Sequence, residues 1–187
     1  MLNMFGLGYN ESKLKPNFKM ASQRIKMLVN KKSTSIKIQK REIAKLLDDG
    51  KEEKARIKVE GCIRDDFTIE ALEIIELLCE LLHERVKYIS SNEECPSDIK
   101  EAVFTLIWSA NKIDISELEA IKSQFGWKYG SKFVKLAEDN VDNIVNERIV
   151  NKLSVKPPSA DIVISYLKEI AKEYNLNWTP TEVILHI

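Results

Sequence analysis

The sequence predicts an all-α protein built on one long helical hairpin, and three observations carry that prediction. Only 6 glycines and 5 prolines occur in 187 residues, few for a turn-rich β protein. Apolar residues recur with a helical period from residue 14 to residue 89. A single strong turn signal, "DDG" at 48–50, divides that long pattern. With 44% hydrophobic and 31% charged residues, a chain of this length buries a proper core, and residues 1–187 are expected to form one domain.

The first helix of the hairpin is expected to settle near Pro16, since proline is tolerated in a first turn and not deep inside a helix. Its apolar stripe is Leu14, Phe18, Ala21, Ile25 and Leu28, then Ile36, Ile43 and Leu47. Gly50 supplies the permissive backbone of a C-terminal turn. "KEEKARIKVE" then restarts the pattern at once, with acids suited to a first turn. Two helices joined by so short a loop lie antiparallel. At roughly 1.5 Å per residue, helices over 16–48 and 51–90 span about 50 and 60 Å.

The second helix changes character midway. Before Phe67 only Ala55, Val59 and Ile63 form a thin apolar stripe. Beyond it two stripes run side by side: Ile63, Phe67, Ala71, Ile74, Leu78 and Leu81, and Ile69, Leu72, Ile75, Cys79, Leu82, Val86 and Ile89. Glu70, Glu73, Glu76, Glu80 and Glu84 occupy the opposite face. The tip near Gly50 is therefore expected to project, and the base to be covered by residues 96–187. Arg64, Asp65 and Asp66 stand where the contacts widen and are expected to be polar anchors.

The covering segments follow in order. "PSDIKEAVFTLIWSA" begins with an entry proline at Pro96. "ISELEAIKSQFGWKYGSKFVKLAED" carries Ser116 and Glu119 in capping-box spacing. In "GWKYG", Gly126 and Gly130 are expected on one helix face, where two small residues allow a close crossing. "VDNIVNERIVNKL" and "SADIVISYLKEIAKEY" are two further amphipathic segments, separated by "SVKPPSAD", a short linker ending in an N-cap at Ser159 or Asp161.

Charge is divided along the chain. Residues 1–60 hold 15 Lys and Arg against 7 Asp and Glu, and residues 61–187 hold 14 against 22. Between Ser12 and Arg41 stand ten basic residues and no acid. A solvated lysine-rich surface explains such a helix blandly; an anionic partner, membrane or nucleic acid, explains it more sharply. The basic segment carries Phe18 as its sole aromatic, which offers no stacking platform for bases. Lys13, Lys19, Lys26, Lys37 and Lys40 are the membrane-binding candidates. The apolar Met1, Leu2, Met4, Phe5, Leu7 and Tyr9 fit shallow insertion into a bilayer, packing against the hairpin, or a flexible N-terminus over 1–15.

The odd number of cysteines, Cys62, Cys79 and Cys95, without CxxC spacing, suits reduced thiols in a cytosolic protein. No secretory signal or transmembrane run is expected. No catalytic, cofactor or metal set is assigned, and the chain is not expected to be an enzyme. His83 lies one turn after Cys79, but two ligands without a third do not make a zinc site.

The order of the blocks, basic helix, tight turn, "KARIKVEGCIRDDFTIEALEIIELLCELLHERV", "TLIWSA", "KYGSKF", "VNERIVNKLSV", "PP" and "YLKEIAKEYNLNWTP", resembles the increased-sodium-tolerance family of ESCRT-III-like proteins. The resemblance implies a long coiled-coil-like hairpin, with shorter helices packed at its open end and folded back along it. It also implies an assembly subunit, homo- or hetero-polymeric, that binds charged multivesicular body proteins and modulates the AAA ATPase of the ESCRT pathway. The implied settings are endosomal sorting, membrane remodelling and cytokinetic abscission, in the cytoplasm and peripherally on endosomal membranes. Longer family members continue into a helix that docks on MIT domains; "EVILHI" shows no such helix, so direct MIT binding is not assigned to this chain. A groove between helices is a natural dock for a partner's amphipathic helix. Its candidate residues are Leu153, Val163, Tyr166, Leu167, Ile170 and Tyr174, with Glu169 and Glu173 as an acidic rim. A helical nucleic-acid-binding module using the basic face is the competing function.

Overall fold

The computed structural model describes residues 8–181, and within them every regular element is helical. Helix α1 spans Glu11–Asp48, α2 Glu52–Glu84, α3 Val86–Ser90, α4 Lys100–Ala110, α5 Ser116–Tyr129, α6 Ser131–Glu138, α7 Glu147–Lys152 and α8 Ala160–Glu173. A 3-10 turn at Val141–Asn143 precedes α7. Apolar Met1, Leu2, Met4, Phe5 and Leu7 lie outside the described residues.

Helix α1 starts earlier than Pro16 predicts. The Asn10 carbonyl accepts from the Lys13 and Leu14 amides, and its side chain accepts from Ser12 N at 2.9 Å. Tertiary bonds fix that start: Asn10 N donates to the buried Gln124 at 2.8 Å, and Tyr9 Oη lies 2.6 Å from Ser90 Oγ. Pro16 therefore sits inside the helix and forfeits one bond, on an exposed face where water satisfies the freed carbonyl. At the other end Gly50 adopts φ +71 and closes the turn into α2. The second helix is nicked once, at Arg85, whose amide is shared between the Leu81 and Leu82 carbonyls.

The chain divides into two compact units, each discontinuous in sequence: residues 1–29 with 70–154, and residues 30–69 with 155–187. In the first, Leu14, Phe18, Ala21 and Ile25 of α1 meet Leu72, Ile75, Cys79 and Leu82 of α2, with Val103, Leu106 and Ile107 of α4 and Leu118, Ile121 and Phe125 of α5. Aromatic rings continue this core: Phe18 lies 6.3 Å from Phe125, Phe125 stacks on Tyr129, and Phe133 packs edge-on against Phe104 at 5.0 Å. The acids of α2 find cations here. Lys26 reaches Glu76 and Glu80, and Arg148 and Lys152 both reach Glu70.

Three local expectations fail in this unit. Helix α4 begins at Lys100, four residues after Pro96, because residues 96–99 form a turn. The Ser116–Glu119 capping box does not form; Ile115 occupies the N-cap position and Ser116 Oγ bonds Glu117 instead. Glu117 is buried and paired with Arg24 at 2.5 Å, which turns Ser116 toward it. Gly126 and Gly130 do not share a helix face. Gly126 lies in α5, where a Cβ would stand 3.5 Å from Val134, while Gly130 takes φ +95 and separates α5 from α6.

In the second unit the hairpin tip is not bare. Ile36, Ile43, Ala44 and Leu47 of α1 and Ala55, Val59, Cys62 and Ile63 of α2 are covered by Val163, Leu167, Ile170 and Ala171 of α8. The stripe of α2 is thin, Ala55, Val59 and Ile63. It serves two neighbours, because Cys62 widens it and small Ala55 and Ala44 let helices approach closely.

Candidate partner-binding face

Helix α8 is capped by Ser159, whose hydroxyl accepts from Ile162 N, as the linker predicts. Its inward edge is committed to core: Leu167 is 0% and Ile170 1% exposed, and Val163 is also buried. These three, named as groove candidates, are packed into the second core. On the flank, Ile162, Tyr166, Glu169 and Glu173 are spaced by four, three and four residues and share one side of the helix. Ile162 and Tyr166 are half-buried and the two glutamates exposed. Tyr174 packs half-buried at the C-terminal end. Leu153, at the end of α7, belongs to the first unit and packs against that core.

Polar anchors hold this flank. Tyr166 Oη donates to Asp66 Oδ2 at 2.5 Å, and Lys40 Nζ lies 3.2 Å from Glu173 Oε2. Asp65 accepts from Lys32 at 2.9 Å and from Gln39 at 3.0 Å. Burial pushes the Asp65 carboxyl upward, but these two bonds outweigh it and hold it below its ordinary value. Asp65 and Asp66 thus anchor as the sequence predicts.

Beyond α8 the chain runs without helix or turn over residues 176–181. Leu176 and Trp178 pack against the second core. Glu52 then gathers the donors: Trp178 Nε1 at 3.3 Å, Thr181 N at 3.3 Å to both oxygens, and the Arg56 guanidinium at 2.6 Å. Burial raises the Glu52 carboxyl, and its bonds to Arg56 and Thr181 more than reverse that. The sequence places Glu52 as a first-turn acid and does not reveal that it also holds this strap. The available signal was Trp178 itself, a large apolar ring beyond the last helix that needs somewhere to bury.

The five candidate membrane lysines fall into two sets. Lys13, Lys19 and Lys37 are exposed on α1. Lys26 and Lys40 are engaged by acids, so their charge is partly spent within the protein. Exposed Lys15, Lys31, Arg41 and Lys45 extend the cationic side, and Met20 and Met27 stand exposed among these cations.

Burial pushes the Cys62 and Cys95 thiols up to about 11 and Cys79 to about 12, so all three stay protonated and unsuited to nucleophilic work. His83 bonds Glu84, while Cys79 is sealed in the first core. Among the described residues no group of three or more His, Cys, Asp or Glu is placed to hold a metal. Among them also, no helix is long and apolar enough to cross a membrane.

The described residues form an all-helical scaffold in which a capped helix packs on a helical hairpin and carries acids on its exposed flank. Residues 15–177 match the family model described as Ist1, regulator of Vps4 activity in the MVB pathway. The chain belongs to the Ist1 family. It is 45% identical over 177 residues to an IST1-like protein of Dictyostelium discoideum, covering 94% of this chain and 48% of that protein. Vacuolar protein sorting-associated protein IST1 of Saccharomyces cerevisiae is 38% identical over 180 residues, covering 91% of this chain and 60% of that one. The chain thus spans about half to three-fifths of these relatives' lengths. Among solved structures, the S. cerevisiae Ist1 N-terminal domain in complex with a Did2 MIM motif superposes with a TM-score of 0.84 at 37% identity, covering 94% of this chain and 97% of that one.

Proposed function

We propose that this protein is a regulatory subunit of the multivesicular body pathway that captures a short C-terminal helix of a charged multivesicular body protein and thereby tunes the Vps4 ATPase. The observation that carries this reading is the likeness, over 94% of the chain, to an Ist1 domain crystallised with a MIM motif. The flank of α8 suits such a ligand. Half-buried Ile162, Tyr166 and Tyr174 supply apolar contact, and Glu169, joined by Glu173 when it exchanges Lys40 for the ligand, meets the basic residues of an amphipathic helix. The protein works as an assembly subunit, alone or with those partners, peripherally on the cytoplasmic face of endosomal membranes. There the exposed cations of α1 face anionic lipid, each adding roughly 1 kcal/mol near the bilayer. Membrane remodelling and cytokinetic abscission are the processes such an assembly serves.

Isothermal titration with the partner's C-terminal peptide tests the core of this proposal. A Kd in the micromolar range is expected for the wild type, with clear weakening in Glu169→Lys. Absence of heat with every such peptide, from a folded wild type, overturns it. For the membrane, Lys13→Glu, Lys19→Glu and Lys37→Glu combined should abolish pelleting with anionic liposomes while leaving helicity unchanged. Unaltered pelleting, or tighter binding to duplex DNA than to liposomes at the same salt, refutes that part.

A further inference from the structure

The strap over residues 176–181 contains the dipeptide Thr179–Pro180. Thr179 is exposed and stands in irregular chain beyond α8. A proline at the next position biases its backbone toward extended conformations. An exposed, extended threonine followed by proline is what a proline-directed protein kinase requires of a substrate. On either side of Thr179 the strap is fastened to one carboxylate: Trp178 Nε1 and Thr181 N both donate to Glu52. Thr179 Oγ1 is therefore confined to within roughly 10 Å of that carboxylate, a reach of about two residues.

We propose that Thr179 is a phosphorylation site for a proline-directed kinase, and that its phosphate releases the strap from Glu52. In the modification, the threonine oxygen bonds the γ-phosphorus of ATP as the β–γ phosphoanhydride bond breaks. ADP departs, and the hydroxyl proton passes to the kinase base and on to solvent. The product carries about −1.5 to −2 charges at neutral pH. The carboxylate that holds the strap is ionised at neutral pH, its bonds to Arg56 and Thr181 keeping it below its ordinary value. Repulsion over about one Debye length, roughly 8 Å at physiological salt, predicts on the order of a twofold rise in the released strap. The phosphate thus acts beside the carboxylate that accepts from both Trp178 and Thr181. This inference is independent of the peptide-binding proposal.

The test uses the whole chain with a proline-directed serine/threonine kinase and Mg-ATP. Mass spectrometry should find one phosphate on Thr179, absent in Thr179→Ala. The chain has three tryptophans, so the nitrogen–proton spectrum holds three indole cross-peaks, and Trp178→Phe identifies that of Trp178. On phosphorylation this peak should move toward its position in Glu52→Ala, and the Thr181 amide should exchange about twofold faster. No phosphate on Thr179, when the same kinase fully modifies a peptide of residues 173–187, overturns the site. A phosphorylated chain whose Trp178 peak stays put overturns the release. So does slower Thr181 exchange, which means that the phosphate has recruited Arg56 and tightened the strap.

Discussion

Leu167→Ala separates core from contact on α8. Leu167 is 0% exposed and lies in the second core with Ile43, Val59 and Ile63. Truncation removes three carbon groups worth about 0.8 kcal/mol each, so the transfer loss alone is about 2.4 kcal/mol. Neighbouring helices relax only partly into the space, and the residual cavity brings the total to about 3 kcal/mol, within the usual range for this substitution. For a chain of this size that corresponds to a melting shift of roughly 10 °C. Urea denaturation followed by helical circular dichroism measures it, and the midpoint should fall with the slope unchanged. Peptide titration below the transition should then give wild-type affinity, because the side chain faces inward. The reasoning is refuted if Leu167→Ala loses less than about 1 kcal/mol, or if it binds peptide far more weakly while equally stable.

Other consequences follow from single contacts. Arg24→Ala strands the buried Glu117 carboxylate and should cost about 1–2 kcal/mol in urea titration, moderated because Arg24 is itself mostly exposed. Burial raises the Glu117 carboxyl, but bonds from Arg24 and Ser116 hold it below its ordinary value of 4.5. Its stabilisation is therefore full above pH 4.5 and lost as pH falls through the lower folded value. The difference between wild type and Arg24→Ala should accordingly be largest near neutrality and shrink in acid. The buried, protonated thiols of Cys62 and Cys79 should resist iodoacetamide at pH 8 in the native protein, half-buried Cys95 reacting before them, and all three should react promptly in urea, as intact mass will show. Gly130→Ala forces a side chain into φ +95 and should cost about 1–2 kcal/mol by thermal melt, although nothing lies within 4 Å of the new methyl.

Much of this architecture was legible because it is local or periodic. The stripe from Leu14 to Leu47, the Gly50 turn and the Ser159 cap each follow from short-range rules, and each is present. What escaped depends on partners distant in sequence. Pro16 misplaced the start of α1 because the bonds fixing it come from Gln124 and Ser90. Ser116 misled because its capping partner competes with the buried Glu117–Arg24 pair. On α8, periodicity found the apolar edge but could not tell Leu167, which is sealed, from Tyr166, whose hydroxyl reaches out to Asp66. Nor does a run of lysines reveal that Lys26 and Lys40 are already engaged by Glu76 and Glu173.

The second unit draws its core from residues 30–69 and from residues 155–187, and its tying bonds span long stretches of chain: 100 residues from Asp66 to Tyr166 and 133 from Lys40 to Glu173. During synthesis Ile43, Leu47, Ala55, Val59 and Ile63 leave the ribosome well before Val163, Leu167 and Ile170 exist to cover them. This unit therefore matures only after translation has passed α8. Until then the nascent chain presents an apolar strip, of the kind that chaperones hold and that drives premature association between neighbouring copies.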